Sequence, residues 1–209
     1  MTLLEDNRAI LSYSALAGQI SPAQLRACAA QLPYARRLRL RDSAQLASLA
    51  GIQLALRALG VLCGRRVLAR ELKFPPQGKP QLPGGPQFSI SHTDHYVACV
   101  AARCGAVGLD IEEAAAGARL DLHALCDAEE LRLVQSDGAL AVWTAKEAAL
   151  KALGRSVRDA ASVQVRARHV ICGQTQLHRQ VLPRLAGEEG AGFCACVASA
   201  EPLAPLIAQ

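Results

Sequence analysis

The sequence predicts an α+β fold made of two similar halves with mainly antiparallel sheets. Two observations support this fold class. Helix-like and strand-like stretches are mixed within each half, and two segments of the first half recur in the same order in the second. Mixed runs of both kinds are typical of the α+β class, and segments that recur at a fixed spacing indicate a duplicated unit.

The first recurring segment is amphipathic. Residues 46–60 read LASLAGIQLALRALG and residues 140–154 read LAVWTAKEAALKALG, an offset of 94 residues with seven identities in fifteen positions. Apolar residues recur at three- and four-residue spacing, which predicts a helix in each segment. Gly60 and Gly154 are the predicted C-terminal caps, since glycine readily adopts the left-handed conformation of that position.

The second recurring segment is a short apolar run. YVACVAA (Tyr96–Ala102) and FCACVAS (Phe193–Ser199) lie 97 residues apart, and both are typical of buried strands. Frequent alanine could produce such matches by chance. If the duplication is real, the halves are residues 1–106 and 107–209, and a ligand cleft is expected between them.

Composition narrows the class of protein. The 209 residues are 51% hydrophobic, which is enough to bury a core. Eight cysteines without a Cys-x-x-Cys pair favour reduced thiols over a disulfide scaffold. We see no signal peptide and no apolar run of about 18 residues, so a soluble cytoplasmic protein without a membrane partner is expected.

The charge pattern favours an anionic partner. The formal net charge is +5, and Arg36, Arg37, Arg39 and Arg41 form a cluster. This cluster could bind a nucleotide, a phosphate or an acidic protein surface, or it could be a solvated helix face. Nucleic acid is not expected, because only 3% of the residues are aromatic and base stacking needs more.

A pair of acids on a predicted strand is the first candidate site. Asp110 and Glu112 lie two residues apart in GLDIE (residues 108–112), so their side chains share one face of the strand. Two adjacent carboxylates repel unless a cation lies between them, and a hard divalent ion prefers such oxygen ligands. Taken alone, the pair is more often a solvated strand face.

A third acid lies on the second predicted helix. In WTAKEAALK (residues 143–151), Trp143, Glu147 and Lys151 are spaced four apart and share one helix face. The face offers a further carboxylate and a cation for a phosphate. Alternatively, Glu147 and Lys151 form an ordinary surface ion pair, and Trp143 is a core residue.

Polar residues on a third element could contact a phosphate. In FSISH (residues 88–92), Ser89 and Ser91 face opposite to the apolar residues, and His92 lies at the strand end. Upstream, Lys79 precedes a proline, which favours extended backbone. His92 could equally be an ordinary half-buried histidine, and Lys79 an ordinary surface lysine.

The ordered series GKP, FSISH, GLDIE and WTAKEAALK resembles the signature of the Sfp-type 4'-phosphopantetheinyl transferases. The resemblance runs from about residue 36 to residue 199. Each motif is weak alone, but four in this order are specific. The resemblance implies two α+β halves in a pseudo-twofold arrangement. It also implies Mg²⁺-dependent transfer of the phosphopantetheine arm of coenzyme A to a serine of an acyl or peptidyl carrier protein.

The resemblance also implies roles for individual residues. Asp110, Glu112 and Glu147 would hold Mg²⁺. Glu147 is one candidate for the general base, and Glu129 is the other, or else a further metal ligand. Lys151 would contact the pyrophosphate of coenzyme A.

Further contacts are implied on the first half. His92 would also contact the pyrophosphate, and Lys79 with Ser91 would contact the nucleotide. The family often has a basic residue where this chain has Ala47, so Arg36, Arg37 or Arg41 would have to bind the 3'-phosphate instead.

Carrier binding and oligomeric state are the last expectations. Leu122, Leu125 and Leu131 could present an apolar surface to a carrier helix, or they could be core residues. A monomer is expected, because the duplicated chain already supplies both sides of a cleft. The rival functions are a coenzyme A or nucleotide-binding module without turnover and a metal-dependent phosphohydrolase.

Overall fold

The chain folds into two compact units, Met1–Cys104 and Gly105–Gln209. This computed structural model describes residues 9–16, 22–33, 44–76, 78–103, 105–119, 121–185 and 193–203. In each unit helices pack on one sheet, and every pair of neighbouring strands in these sheets is antiparallel. The predicted α+β class with mainly antiparallel sheets is therefore confirmed.

The first unit is a three-stranded sheet with helices packed against it. The sheet order is β1-β3-β2, so the predicted strand β3 lies in the middle, and all seven of its residues are buried. A 3-10 helix, Ala69–Glu71, precedes β2. The elements are β1 (Ala9–Ala15), α1 (Pro22–Gln31), α2 (Ala44–Cys63), β2 (Gln87–His92) and β3 (Tyr96–Ala102).

Helix α2 ends later than the sequence indicates. Gly60 lies inside the helix, and Gly64 adopts the left-handed conformation with φ of 63°. The N–H groups of Gly64 and Arg65 donate to the carbonyls of Val61 and Gly60, each at 3.2 Å. The prediction of Gly60 as the cap was wrong, because the apolar face continues through Leu62, which is buried in the core.

The same helix also corrects the expectation that no segment is long and apolar enough to cross a membrane. Gln45–Cys63 meets that test of length and composition. A little more than half of this stretch is buried in the unit, where Leu49, Ile52 and Leu59 contribute to the hydrophobic core. Burial in the core accounts for its apolar composition, since a helix that is apolar on most sides packs inside a fold as readily as in lipid.

The second unit is a five-stranded sheet of order β4-β8-β7-β6-β5, with helix α4 packed on β4 and β8. Helix α4 ends at the predicted cap, Gly154, whose φ is 65°. Two 3-10 helices are Ala114–Arg119 and Val157–Ser162. The other elements are β4 (Val107–Glu113), α3 (Ala128–Asp137), α4 (Ala139–Leu153), β5 (Val163–Val165), β6 (His169–Cys172), β7 (Thr175–Leu185) and β8 (Phe193–Ser199).

Helix α4 rests directly on the backbone of β4 at Gly108. A Cβ atom added to Gly108 would overlap the carbonyl oxygen of Ala148 and lie 2.5 Å from the backbone nitrogen of Ala152. Only glycine allows this approach, because both obstructing atoms belong to the helix backbone and cannot rotate away. The contact fixes the distance between the strand and the helix that carry the candidate acids.

We therefore expect Gly108→Ala to lower the free energy of unfolding by about 3 kcal/mol, the upper end of the usual effect of overpacking. Urea unfolding measures this change. The matched control is Gly60→Ala, where the added Cβ would meet only the Arg65 carbonyl oxygen at 3.3 Å; a change below about 1 kcal/mol is expected there. Equal effects of the two substitutions would contradict the close contact at Gly108.

The cysteines of the described residues are all free. Cys99 and Cys196 are fully buried in their strands, and burial raises the pKa of both thiols, that of Cys196 to about 12. Such thiols act as small apolar side chains, as the sequence indicated.

Candidate active site

Strand β4 and helix α4 form the candidate site in the second unit. Side chains alternate along a strand, so Asp110 and Glu112 share the face of Gly108, the face that meets α4. On the helix, the backbones of Ala148 and Ala152 lie against Gly108. Glu147 and Lys151 are the residues immediately before them in the chain. The close strand–helix contact thus brings residues of two distant motifs together.

An ion pair joins the two elements. The Lys151 Nζ lies 2.5 Å from the Asp110 Oδ1 and 3.8 Å from the Glu147 Oε2. The Asp110 side chain is only 3% exposed, whereas the Lys151 side chain is 31% exposed. Lys151 therefore contacts an acid on the strand and an acid on its own helix.

The acids of this site destabilise one another's charges. The pKa of Glu147 is raised to about 7: burial is the largest cause, the charges of Asp110 and Glu112 act in the same direction, and Lys151 opposes the rise. Burial also raises the pKa of Glu112, followed by the charge of Asp110. We call Asp110, Glu112 and Glu147 the acid cluster.

The chemistry of the acid cluster suits a hard divalent cation, because its three carboxylates supply oxygen ligands and their mutual repulsion would be relieved by further positive charge. The arrangement of the side chains does not yet form such a site. Within the described ranges, no group of three or more His, Cys, Asp or Glu side chains is arranged to hold one metal ion. Asp110 instead bonds the ammonium of Lys151, so a metal would require these side chains to rearrange.

Trp143 has a contact that the sequence interpretation missed. Its indole lies near the Glu112 carboxyl and lowers the pKa of that group, whereas burial, the largest effect, raises it. The ring also packs against the hydrophobic core of the second unit. The available signal was its position one helical turn before Glu147, on the face that Trp143 shares with Glu147 and Lys151.

A second ion pair, almost completely buried, joins α4 to α3 next to the site. The Lys146 Nζ lies 2.6 Å from the Glu130 Oε1, and both side chains are almost completely buried. The ammonium also donates to the carbonyls of Ala160 and Val163, and Glu130 accepts the N–H of Val165 at 2.8 Å. These contacts tie α3, α4 and β5 together, and no local pattern in the sequence indicates them.

Glu129, the other candidate base, lies in a different environment. It is exposed at the start of α3, and its Oε2 lies 3.0 Å from the Arg166 Nε. Arg166 also bonds Asp127, the N-cap of the same helix, at 3.0 Å. The described ion pair of Glu129 is therefore with Arg166, whereas Glu147 lies beside Asp110.

Leu122 corrects the expectation of an apolar docking surface. It is 4% exposed and belongs to the hydrophobic core of the second unit, and Leu125 packs against the same core. Leu131 is half-buried. Leu122 and Leu125 therefore serve the interior, the alternative that the sequence left open.

The remaining predicted residues lie in the first unit or outside the described residues. Ser91 is buried and His92 is exposed at the end of β2. Lys79 lies in a loop closed by the bridge between Lys73 and Gln81, and burial lowers its pKa to about 8. Arg36 and Arg41 lie outside the described residues.

Comparison with known families assigns a class to the second unit. Residues 106–190 match the model of the 4'-phosphopantetheinyl transferase superfamily, and this stretch contains both GLDIE and WTAKEAALK. No curated protein matches the chain. The family resemblance seen in the sequence is confirmed at the level of this superfamily, over the matched residues. The match supports phosphopantetheinyl transferase activity in general.

Proposed function

We propose that this protein transfers the 4'-phosphopantetheine arm of coenzyme A to a serine of an acyl or peptidyl carrier protein. The observation that supports this most strongly is the convergence of Asp110, Glu147 and Lys151 within the segment that matches the superfamily. In the proposed reaction the serine oxygen bonds to the β-phosphorus of coenzyme A. The pyrophosphate bond breaks, and adenosine 3',5'-bisphosphate leaves.

Negative charge on the pyrophosphate is the main obstacle in this reaction, so the site must supply positive charge. In our proposal Asp110, Glu112 and Glu147 would hold Mg²⁺, which would neutralise charge on the phosphate oxygens. Lys151 adds a mobile cation on a flexible stem, suited to a pyrophosphate oxygen. The Trp143 indole, which favours the charged form of Glu112, would help to keep that carboxylate in place.

The serine must also lose its proton as it attacks. We favour Glu147 over Glu129 as the acceptor, because Glu147 belongs to the acid cluster while Glu129 is engaged by Arg166. A base must come within hydrogen-bond reach of the proton that it removes. The carrier serine would therefore have to enter next to α4.

The first unit would bind the rest of coenzyme A. From the family resemblance we propose that Lys79 and Ser91 contact the nucleotide and that His92 contacts the pyrophosphate. Lys79 offers a direct test of this role, because burial lowers its pKa to about 8 and its charge therefore changes within an accessible pH range.

We expect the affinity for coenzyme A to fall by about tenfold as the pH rises from 7 to 9.5, since a charged hydrogen bond contributes ~1.5–3 kcal/mol. The sign follows from the lowered pKa: Lys79 is charged below about pH 8 and neutral above it. Calorimetric titration at several pH values measures the trend. Lys79→Arg should remove it, because a guanidinium stays charged; an unchanged trend in that variant would contradict the role of Lys79.

Mass spectrometry of a carrier protein tests the proposed function. Incubation with coenzyme A and Mg²⁺ should add one phosphopantetheine group to an apo carrier, and chelation of the metal should stop the reaction. No mass gain with carriers from fatty-acid, polyketide and peptide synthesis would contradict the proposal. Release of adenosine 3',5'-bisphosphate without a carrier would instead indicate a phosphohydrolase. The cytoplasmic location and the monomeric state stay predictions from the sequence.

A further inference from the structure

The acid cluster already holds a cation, and that cation comes from the protein itself. The Lys151 ammonium lies 2.5 Å from Asp110 and 3.8 Å from Glu147. Asp110 is buried, so its charge depends on a nearby positive group rather than on water. Lys151 also lies in the last turn of α4, where the helix dipole favours a positive charge.

A divalent ion and this ammonium would compete for the same oxygens. Magnesium binds carboxylate oxygens at about 2.0–2.1 Å and demands a fixed geometry. An ion bound to Asp110 and Glu147 would therefore lie next to an ammonium bonded to the same two groups, and the two positive charges would repel. Lys151 can avoid this conflict, because its long stem is partly exposed and can rotate.

We propose that Lys151 is an internal counter-ion that a divalent metal must displace, and that its displacement releases the ammonium to bind the pyrophosphate of coenzyme A. This inference rests on the proposed function and deepens it. Before substrate arrives, Lys151 keeps the buried Asp110 paired. After metal entry, the same ammonium is a positioning group for the substrate.

Coupling between the two ligands follows from this exchange. Metal and coenzyme A both favour the displaced position of Lys151, so each should increase the affinity for the other. If the metal site were already formed and Lys151 never bonded the acids, the exchange of Lys151 would not couple metal affinity to coenzyme A affinity. The difference can be measured on metal binding alone, without any catalytic turnover.

The experiment is a titration of Mg²⁺ into the full chain without coenzyme A, at about pH 8, where free carboxyl groups are ionised. Calorimetry gives the affinity. The emission of Trp143 gives a second readout, because it is the only tryptophan and it contacts Glu112. The variants are Lys151→Met, which removes the competing charge, and Lys151→Arg, which keeps it. Arg158→Met removes one charge at an exposed position and serves as the control.

We expect Lys151→Met to bind Mg²⁺ about tenfold more tightly than the wild type, and Lys151→Arg and Arg158→Met to stay within about threefold of it. Added Mg²⁺ should also raise the melting temperature of Lys151→Met more than that of the wild type, since tighter binding stabilises the fold further. Coenzyme A should increase the metal affinity of the wild type more than that of Lys151→Met.

Failure of the inference can be distinguished from failure of the proposed function. Unchanged or weaker Mg²⁺ binding by a folded Lys151→Met protein overturns the counter-ion role, and the carrier assay then decides separately whether transfer occurs. Mg²⁺ binding that survives Asp110→Asn overturns both the counter-ion role and the assignment of the metal to the acid cluster. Absence of binding in the wild type and in Lys151→Met has the same consequence.

Discussion

Replacing Asp110 with asparagine is expected to slow carrier modification by at least ~1000-fold. The substitution keeps the shape of the side chain but removes the charge that faces Lys151 and Glu147. Metal-type charge stabilisation contributes several kcal/mol to such a transition state, and each 1.36 kcal/mol is about tenfold in rate. Initial rates of phosphopantetheine transfer, followed by mass spectrometry, measure the loss.

The matched control for this change is Glu113→Gln. Glu113 is an acid on the same strand, but it points to the opposite face from Glu112, because neighbouring side chains alternate. We expect Glu113→Gln to keep most of the activity, and circular dichroism should show folded protein in both variants. An Asp110→Asn protein within tenfold of the wild-type rate would remove the acid cluster from the mechanism.

Lys146→Met is expected to lower the free energy of unfolding by about 3–5 kcal/mol, the usual effect of removing one partner from a buried ion pair. The substitution leaves Glu130 buried without the ammonium that lies 2.6 Å away. It also removes the donor to the carbonyls of Ala160 and Val163. Urea unfolding at neutral pH measures the change.

A double-mutant cycle separates the ion pair from simple loss of packing. Combining Lys146→Met with Glu130→Gln removes the isolated charge, while the glutamine can still accept the N–H of Val165. We expect the double variant to be more stable than Lys146→Met alone by at least about 1 kcal/mol. A loss below about 1 kcal/mol in the single variant would show that this pair contributes little to the fold.

Local sequence patterns were sufficient to predict some elements of the fold. Strands β3, β4 and β8 and helix α4 were identified because their apolar spacing is regular over the whole element. The end of α2 was not identified correctly, since Gly60 and Gly154 occupy matching positions in the two recurring segments. What distinguishes them is burial of Leu62 beyond Gly60, a tertiary effect that no local pattern records.

The residues of the candidate site were predictable only where they belong to a recognisable sequence motif. The sequence indicated that Asp110, Glu147 and Lys151 would act together, and the structure places these three side chains in contact across β4 and α4. The contacts of Lys146 were not predictable, because its partners lie on other elements. Leu122 could have been part of an exposed docking surface, but it is buried in the core. The apolar composition of α2 would also suit a membrane span, but burial in the first unit accounts for it.

The central claim is that Asp110, Glu112 and Glu147 bind one divalent ion once Lys151 has moved aside. Crystals grown with coenzyme A and Mn²⁺, measured at the manganese absorption edge, test it most directly. We expect a single anomalous peak within coordination distance of all three carboxylates, with the Lys151 ammonium on the pyrophosphate. A peak elsewhere, or an ion bound while Lys151 still bonds Asp110, would contradict it.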